Sequence, residues 1–205
     1  MNPKENARRI ITFDDPERVV TGPPAHNVAF FGANHESFDG GGHHLPVGSR
    51  WVDIWGVRWH REHEGVMGFP RGNPLADLPH ALPAYAWPDP DDPRIRDQIE
   101  VQARGWDQET TFLVGSHRDT LWEKSYMLVG MESMMVSFYT APDAVQKLLH
   151  GIMDFHLGIA RHYIDVGVEM VGMSDDLGTQ QGLLLSPQII QDFFVPEYRR
   201  LFDFY

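Results

Sequence analysis

Apolar residues along this chain fall into two kinds of pattern. Short unbroken runs stand at 27–31 (NVAFF), 110–115 (TTFLVG) and 168–173 (VEMVGM). Runs of that length with flanking turn residues predict buried strands. Longer stretches repeat apolar positions at helical spacing. One covers 121–139 and is interrupted by Gly130; another opens at Pro142 and runs to about Val166, where Gly167 ends it. A helix over 3–12 is stopped by Asp14, Asp15 and Pro16. A second over 92–105 has Asp92 as its cap, Pro93 at its first position and Gly105 as its stop. Ser186 and Pro187 open a last helix that reaches the C-terminus. Residues 51–59 (WVDIWGVRW) alternate weakly and predict a strand or a strand–loop corner. The Gly-rich stretch 32–50 predicts a loop. Residues 65–93 are rich in Gly and Pro, with a short helix where Leu75, Leu78 and Leu82 recur.

The order strand, long helical excursion, strand, loop, helix is the βα alternation of a parallel sheet. The expected layout is a single α/β domain over 1–205, with an irregular N-terminal region (1–105) and βα units after it (106–205). Strands 110–115 and 168–173 are apolar on both faces, as a sheet covered by helices requires. Polar stretches follow each of them, SHRDT and SDDLGTQQG. Ligand sites in βα architectures collect at that end of the strands. Ser116, His117, Arg118, Ser174, Asp175 and Asp176 are therefore expected to line a site.

Composition narrows the classes. The balance of 42% hydrophobic and 22% charged residues is that of a folded globular chain. There is no cysteine, so neither a disulfide nor a Cys-ligated metal arises within these residues. The net charge of −12 argues against nucleic acid and against an anionic membrane surface as partners. No apolar run approaches the ~18 residues of a membrane span, and the polar N-terminus has no secretory h-region. A cytoplasmic location is the expectation.

Four segments, in order along the chain, resemble the uroporphyrinogen-decarboxylase superfamily. NPKENARRIITFDDPERVV (2–20) looks like its N-terminal helix and following turn. VDIWGVRW (52–59) resembles the segment bearing its essential aspartate, in the Asp-x-Trp-Gly variant. SYMLVGMESMM (125–135) is similar to its Thr-Tyr-Met-x-x-Gly helix start. GVEMVGMSDDLGTQQGLLLSP (167–187) resembles the strand and loop before its next helix. The resemblance implies a TIM (β/α)₈ barrel of that type, present here as its N-terminal portion. It implies cofactor-independent decarboxylation of a tetrapyrrole-like or other carboxylated substrate. Asp53 would steer pyrrole N–H groups and stabilise the cation formed on protonation, and Tyr126 would contact substrate. The superfamily's alternative is a zinc-dependent methyltransferase working with a corrinoid protein, its zinc ligands outside this sequence. A third possibility is a non-catalytic half-barrel.

Two departures bear on the substrate. The decarboxylase's arginine-bearing loop corresponds here to GANHESFDGGGHH (32–44), which has no arginine, and Asp175 stands where that enzyme has a substrate-contacting serine. An acid there repels a polycarboxylate by ~1 kcal/mol or more at close range.

Each candidate has a plainer alternative. Asp53 between tryptophans is a site carboxylate, or a capping residue, or one salt-bridged to Arg50 or Arg58. Tyr126 is a substrate contact, or a half-buried helix tyrosine. Asp175 and Asp176 bind a cation or a basic group, act as an acid–base pair, or cap a helix. His117 and Arg118 are placed to bind an anionic group. His60 and His63 have helical ligand spacing but sit in a solvated run, so no metal site is assigned. Met127 to Met135 reads as core. A sheet of three strands has open edges, and the amphipathic last helix wants a sheet to cover, so self-association is expected.

Overall fold

The computed structural model describes residues 1–20, 22 and 25–205, and of Ala33 the backbone only. In chain order the elements are α1 (Pro3–Thr12), β1 (His26–Ala29), β2 (Arg50–Val52), β3 (Arg58–His60) and β4 (Phe69–Gly72). There follow α2 (Leu78–Ala81), α3 (Pro93–Arg104), β5 (Leu113–His117), α4 (Trp122–Val129), α5 (Met131–Thr140) and α6 (Pro142–Asp165). The last are β6 (Met170–Met173), α7 (Pro187–Ile189) and α8 (Val195–Phe204). The chain divides into two compact units. The first takes 1–30, 91–117 and 159–173; the second takes 31–90, 118–158 and 174–205.

The first unit is an α/β sheet. Its strands are parallel in the order β1-β5-β6, with Ala29 beside Ser116 and His117 beside Met173 at their ends. β5 is central and buried. Gly115 is required there, because a Cβ would meet the Tyr163 ring at 2.6 Å. The Tyr163 hydroxyl donates to Ser116 O at 2.8 Å. Gln102 on α3 closes the outer edge of β1: its amide donates to Ala29 O at 2.6 Å and accepts from Ala29 N at 3.0 Å. Lys4 and Arg8 of α1 pair with Glu169 just before β6. β6 alternates exposed and half-buried residues.

The second unit packs an antiparallel sheet, β2-β3-β4, with α2, α4, α5, most of α6, α7 and α8. Trp55, Trp122, Leu128, Leu149, Ile152 and Phe194 are fully buried in it.

Several expectations move. The run 110–115 begins as a turn, since the Asp107 carboxylate accepts from Glu109 N and Thr110 Oγ1. β5 starts only at Leu113 and continues to His117, because β1 pairs with it as far as Ser116 and β6 as far as His117. Ser116 and His117 are thus strand residues rather than loop residues. WVDIWGVRW is a hairpin, with β2 and β3 joined by a tight turn. β4 was hidden within the Gly/Pro-rich stretch: Pro70 lies at an irregularity of an edge strand, where its missing N–H breaks no ladder bond. The final helix is continuous from 187 to 204 but widens to a π-turn over Ile190–Phe194. Pro196 follows, and a proline inside a helix lacks the N–H for the regular ladder.

Candidate functional site

The densest polar chemistry among the described residues lies inside the second unit. It starts at the β2–β3 turn. Asp53 is 5% exposed. Its Oδ1 accepts from the backbone N–H of Trp55 and Val57, both at 2.9 Å, and its Oδ2 accepts from Trp59 Nε1 at 2.9 Å. The backbone closes the same loop, Asp53 N donating to Val57 O and Gly56 N to Asp53 O, each at 3.0 Å. Gly56 has φ +78°, which a side chain would resist. Burial raises the Asp53 pKa, against the Lys124 charge and the three donors.

Lys124 is fully buried on α4. Its Nζ donates to Asn34 O at 2.9 Å and stands 5.3 Å from the centre of the Trp55 ring. Burial pushes its pKa down, opposed by Asp53, Asp119, Glu123 and Glu36. A cation kept out of water needs such anions around it. Asp119, in a left-handed conformation (φ +49°), sets Oδ2 3.0 Å from His35 Nε2. Burial pushes the Asp119 carboxyl up, but the contact with His35 and the nearby cations outweigh it and leave the pKa lowered. His43 packs against His35 with ring centres 4.2 Å apart. Its Nδ1 accepts from Gly68 N at 2.9 Å. Burial, then the neighbouring His35, lower its pKa to about 4.

The start of α4 is organised by Asp175. One carboxylate oxygen accepts from Leu121 N and Trp122 N, both at 2.8 Å, and the other from Glu123 N at 2.9 Å. Tyr198 on α8 donates to the same group at 2.6 Å. Asp175 is thus a helix cap supplied from a distant loop, which satisfies three donors that α4 cannot satisfy itself. Burial raises its pKa while these four donors lower it. Glu123, in the first turn, is half-buried. Burial, then the charges of Asp119, Asp176 and Asp175, push its pKa up to about 7. Tyr126 stands one helical turn further on, half-buried, with its ring edge-on to Trp122 at 5.4 Å. Its pKa is also raised, by burial and then by Glu123.

The structure therefore groups Tyr126, Asp175 and Asp176 around the first turn of α4. Asp53 reaches that turn only through the field of Lys124. Arg118, half-buried, lies over the Phe31 ring at 5.5 Å in the same unit. His117 belongs to the first unit: it is 2% exposed, edge-on to Tyr163 at 5.3 Å, and burial lowers its pKa to about 4. Among the described residues no three His, Asp or Glu side chains are grouped to hold a metal. Glu123, Lys124 and Asp119 escaped the sequence reading. Lys124 had a visible signal. It stands three residues after Leu121 and four before Leu128, on the apolar stripe of its own helix. Glu123 had none, because its environment is assembled from loops far apart in the chain.

A family model described as uroporphyrinogen decarboxylase (URO-D) matches residues 121–205. The matched stretch contains Glu123, Lys124, Tyr126, Asp175 and Asp176; Asp53, His117 and Arg118 lie before it. No curated protein matches the chain.

Proposed function

We propose that the chain, whose residues 121–205 match the uroporphyrinogen decarboxylase (URO-D) family model, is a member of that superfamily and serves a cofactor-independent decarboxylation with Glu123 as the proton donor. The parallel β1-β5-β6 sheet is then part of a (β/α)₈ barrel of that superfamily. The observation that carries the reading is the half-buried Glu123, its pKa near 7, one turn from Tyr126 in a helix start fixed by Asp175. In the reaction the bond between carbon and carboxylate breaks. The carboxylate leaves as neutral CO₂ and its bonding electron pair stays on the carbon. That carbon takes the proton of the Glu123 carboxyl, and Glu123 regains a proton from solvent. An acid with a pKa near the working pH is suited to this step. A substrate carboxylate beside Asp119 and Asp176 is repelled, and the repulsion is relieved as its charge is lost. The same acids disfavour a substrate with many carboxylates, so uroporphyrinogen itself is a poor substrate. Asp53, held by three donors, opposes through its charge the lowering that burial imposes on Lys124.

The test is CO₂ release from an anaerobic panel of porphyrinogens and simpler carboxylated pyrroles. Turnover should be greatest with the fewest carboxylates. It should be full below pH 7 and fall as the pH rises through about 7, where Glu123 loses its proton. Glu123→Gln should reduce the rate about 100-fold or more and remove that inflection. An unchanged rate and pH profile in Glu123→Gln would falsify the assignment. Rapid turnover of uroporphyrinogen, on the order of 1 s⁻¹ or faster, would overturn the substrate preference. Methyl transfer to a corrinoid protein without CO₂ release would replace the reaction.

A further inference from the structure

The outward face of the β2-β3-β4 sheet carries a second kind of chemistry, opposite in sign to the rest of the chain. In β2, Arg50 and Val52 point out while Trp51 is buried; in β3, Arg58 points out while Trp59 is buried. The register sets Arg50 opposite His60 and Val52 opposite Arg58. Arg50 and Arg58 are therefore diagonal neighbours on one face, about 7–8 Å apart along the backbone. With Arg71 and Glu62 they line a groove of about 730 Å³, within the range of small-molecule sites.

The three arginines are not equivalent. Arg71 is spent on Glu62, donating at 2.6 and 2.7 Å to its two oxygens. That pairing holds the Glu62 carboxyl down at about 2. Arg50 and Arg58 have no acidic partner among the described residues. Two unpaired guanidinium groups side by side repel each other, and in a chain with 29 acidic residues against 17 basic ones an acid partner would be easy to supply. Arg58 is moreover seated: it lies across Gly72 of β4, where any Cβ would collide with its guanidinium group. The missing side chain leaves room for Arg58 to lie along the sheet beside Val52 and Arg50. Val52, 51% exposed, adds apolar floor between the two cations.

We propose that the Arg50–Arg58 groove binds a small organic dianion, a phosphate ester or a dicarboxylate with an apolar body. Guanidinium forks match the paired oxygens of either group, and Val52 takes the apolar part. The site lies on the face of the sheet opposite Asp53 and His35, whose partners are reached by the inward Trp59. It does not depend on the Glu123 reaction, and neither result decides the other.

Calorimetric titration of the full chain with phenyl phosphate, phthalate and inorganic phosphate, at a constant ionic strength of about 0.1 M, tests the site. Phenyl phosphate or phthalate should saturate one site and bind more tightly than inorganic phosphate. Preference between the two identifies the group recognised. The double variant Arg50→Gln/Arg58→Gln should weaken binding about tenfold or more. Both residues are exposed, so the variant should unfold at the wild-type urea midpoint. Arg104→Gln/Lys147→Gln, which removes the same charge elsewhere, should bind as the wild type does. No saturable binding, or equal weakening in both double variants, overturns the proposal. So does a dimer that the Arg50/Arg58 variant disperses in sedimentation, since the occupant is then a second acidic copy of this chain.

Discussion

Asp53 shows how one side chain can carry two readings that a stability measurement separates. Its two oxygens meet three N–H donors, two from the backbone of the next four residues and one from Trp59. Asp53→Asn keeps the shape and replaces one oxygen by an NH₂ group. Whichever way the amide is turned, at least one donor then faces another donor. A buried donor left without an acceptor costs about 1–3 kcal/mol. The variant should lose about that much in urea unfolding, with the hairpin loosened whether or not substrate is present. A carboxylate held only for chemistry would lose turnover and leave the urea midpoint where it was. Sequence alone could not choose between the two, because Asp53 receives its third bond from the indole of Trp59, six residues away across a hairpin.

At the scale of the element, α4 depends on a residue outside it. A helix leaves its first N–H groups without intrahelical partners, and here Leu121, Trp122 and Glu123 all find theirs in Asp175. The loop after β6 and the start of α4 are thereby one structural piece, with Tyr198 of α8 as its third member. Asp175→Ala should destabilise the chain by about 2 kcal/mol or more. Tyr198→Phe, which removes one neutral donor, should cost about 1 kcal/mol. In Asp175→Ala the Tyr198→Phe change should cost less, since the partner is already gone, and a double-mutant cycle measures that coupling. An Asp175→Ala protein within about 0.5 kcal/mol of wild type would show that water caps α4 equally well. The same variant should move the pH dependence of Glu123. With one neighbouring negative charge removed, the Glu123 pKa should fall from about 7.

The whole molecule is an acidic chain with an open parallel sheet. Among the described residues, both outer strands of β1-β5-β6 pair on one side only. Gln102 occupies the free backbone groups of Ala29 on β1. On β6 Met170 is 39% exposed. A strand edge of this kind recruits other strands, while a net charge of −12 keeps copies apart. Association should therefore be weak at low salt and grow as ionic strength screens the repulsion. Light scattering at low and high salt measures this. A monomer of constant mass across that range, at high protein concentration, would mean that the β6 edge is protected.

Local rules settled much of this architecture. Asp92-Pro93, Pro142 and Ser186-Pro187 each open a helix where the structure has one, and Gly130 parts α4 from α5. Caps, proline at the first turn and apolar spacing act over four or five residues, so they survive any tertiary context. The three apolar runs likewise became the parallel strands, with β5 carried on to His117 by its pairing with β6. Other features were decided only when distant segments met. β4 forms because Trp59 and His60 offer it a partner, not because Phe-Pro-Arg-Gly favours a strand. Arg50 and Arg58 become neighbours only through strand register. Glu123 acquires a pKa near 7 only because the loop bearing Asp175 and Asp176, and the turn bearing Asp119, close around it. Backbone geometry is written locally. Burial and charge fields depend on which segments come within a few ångströms, and that is a property of the folded chain alone.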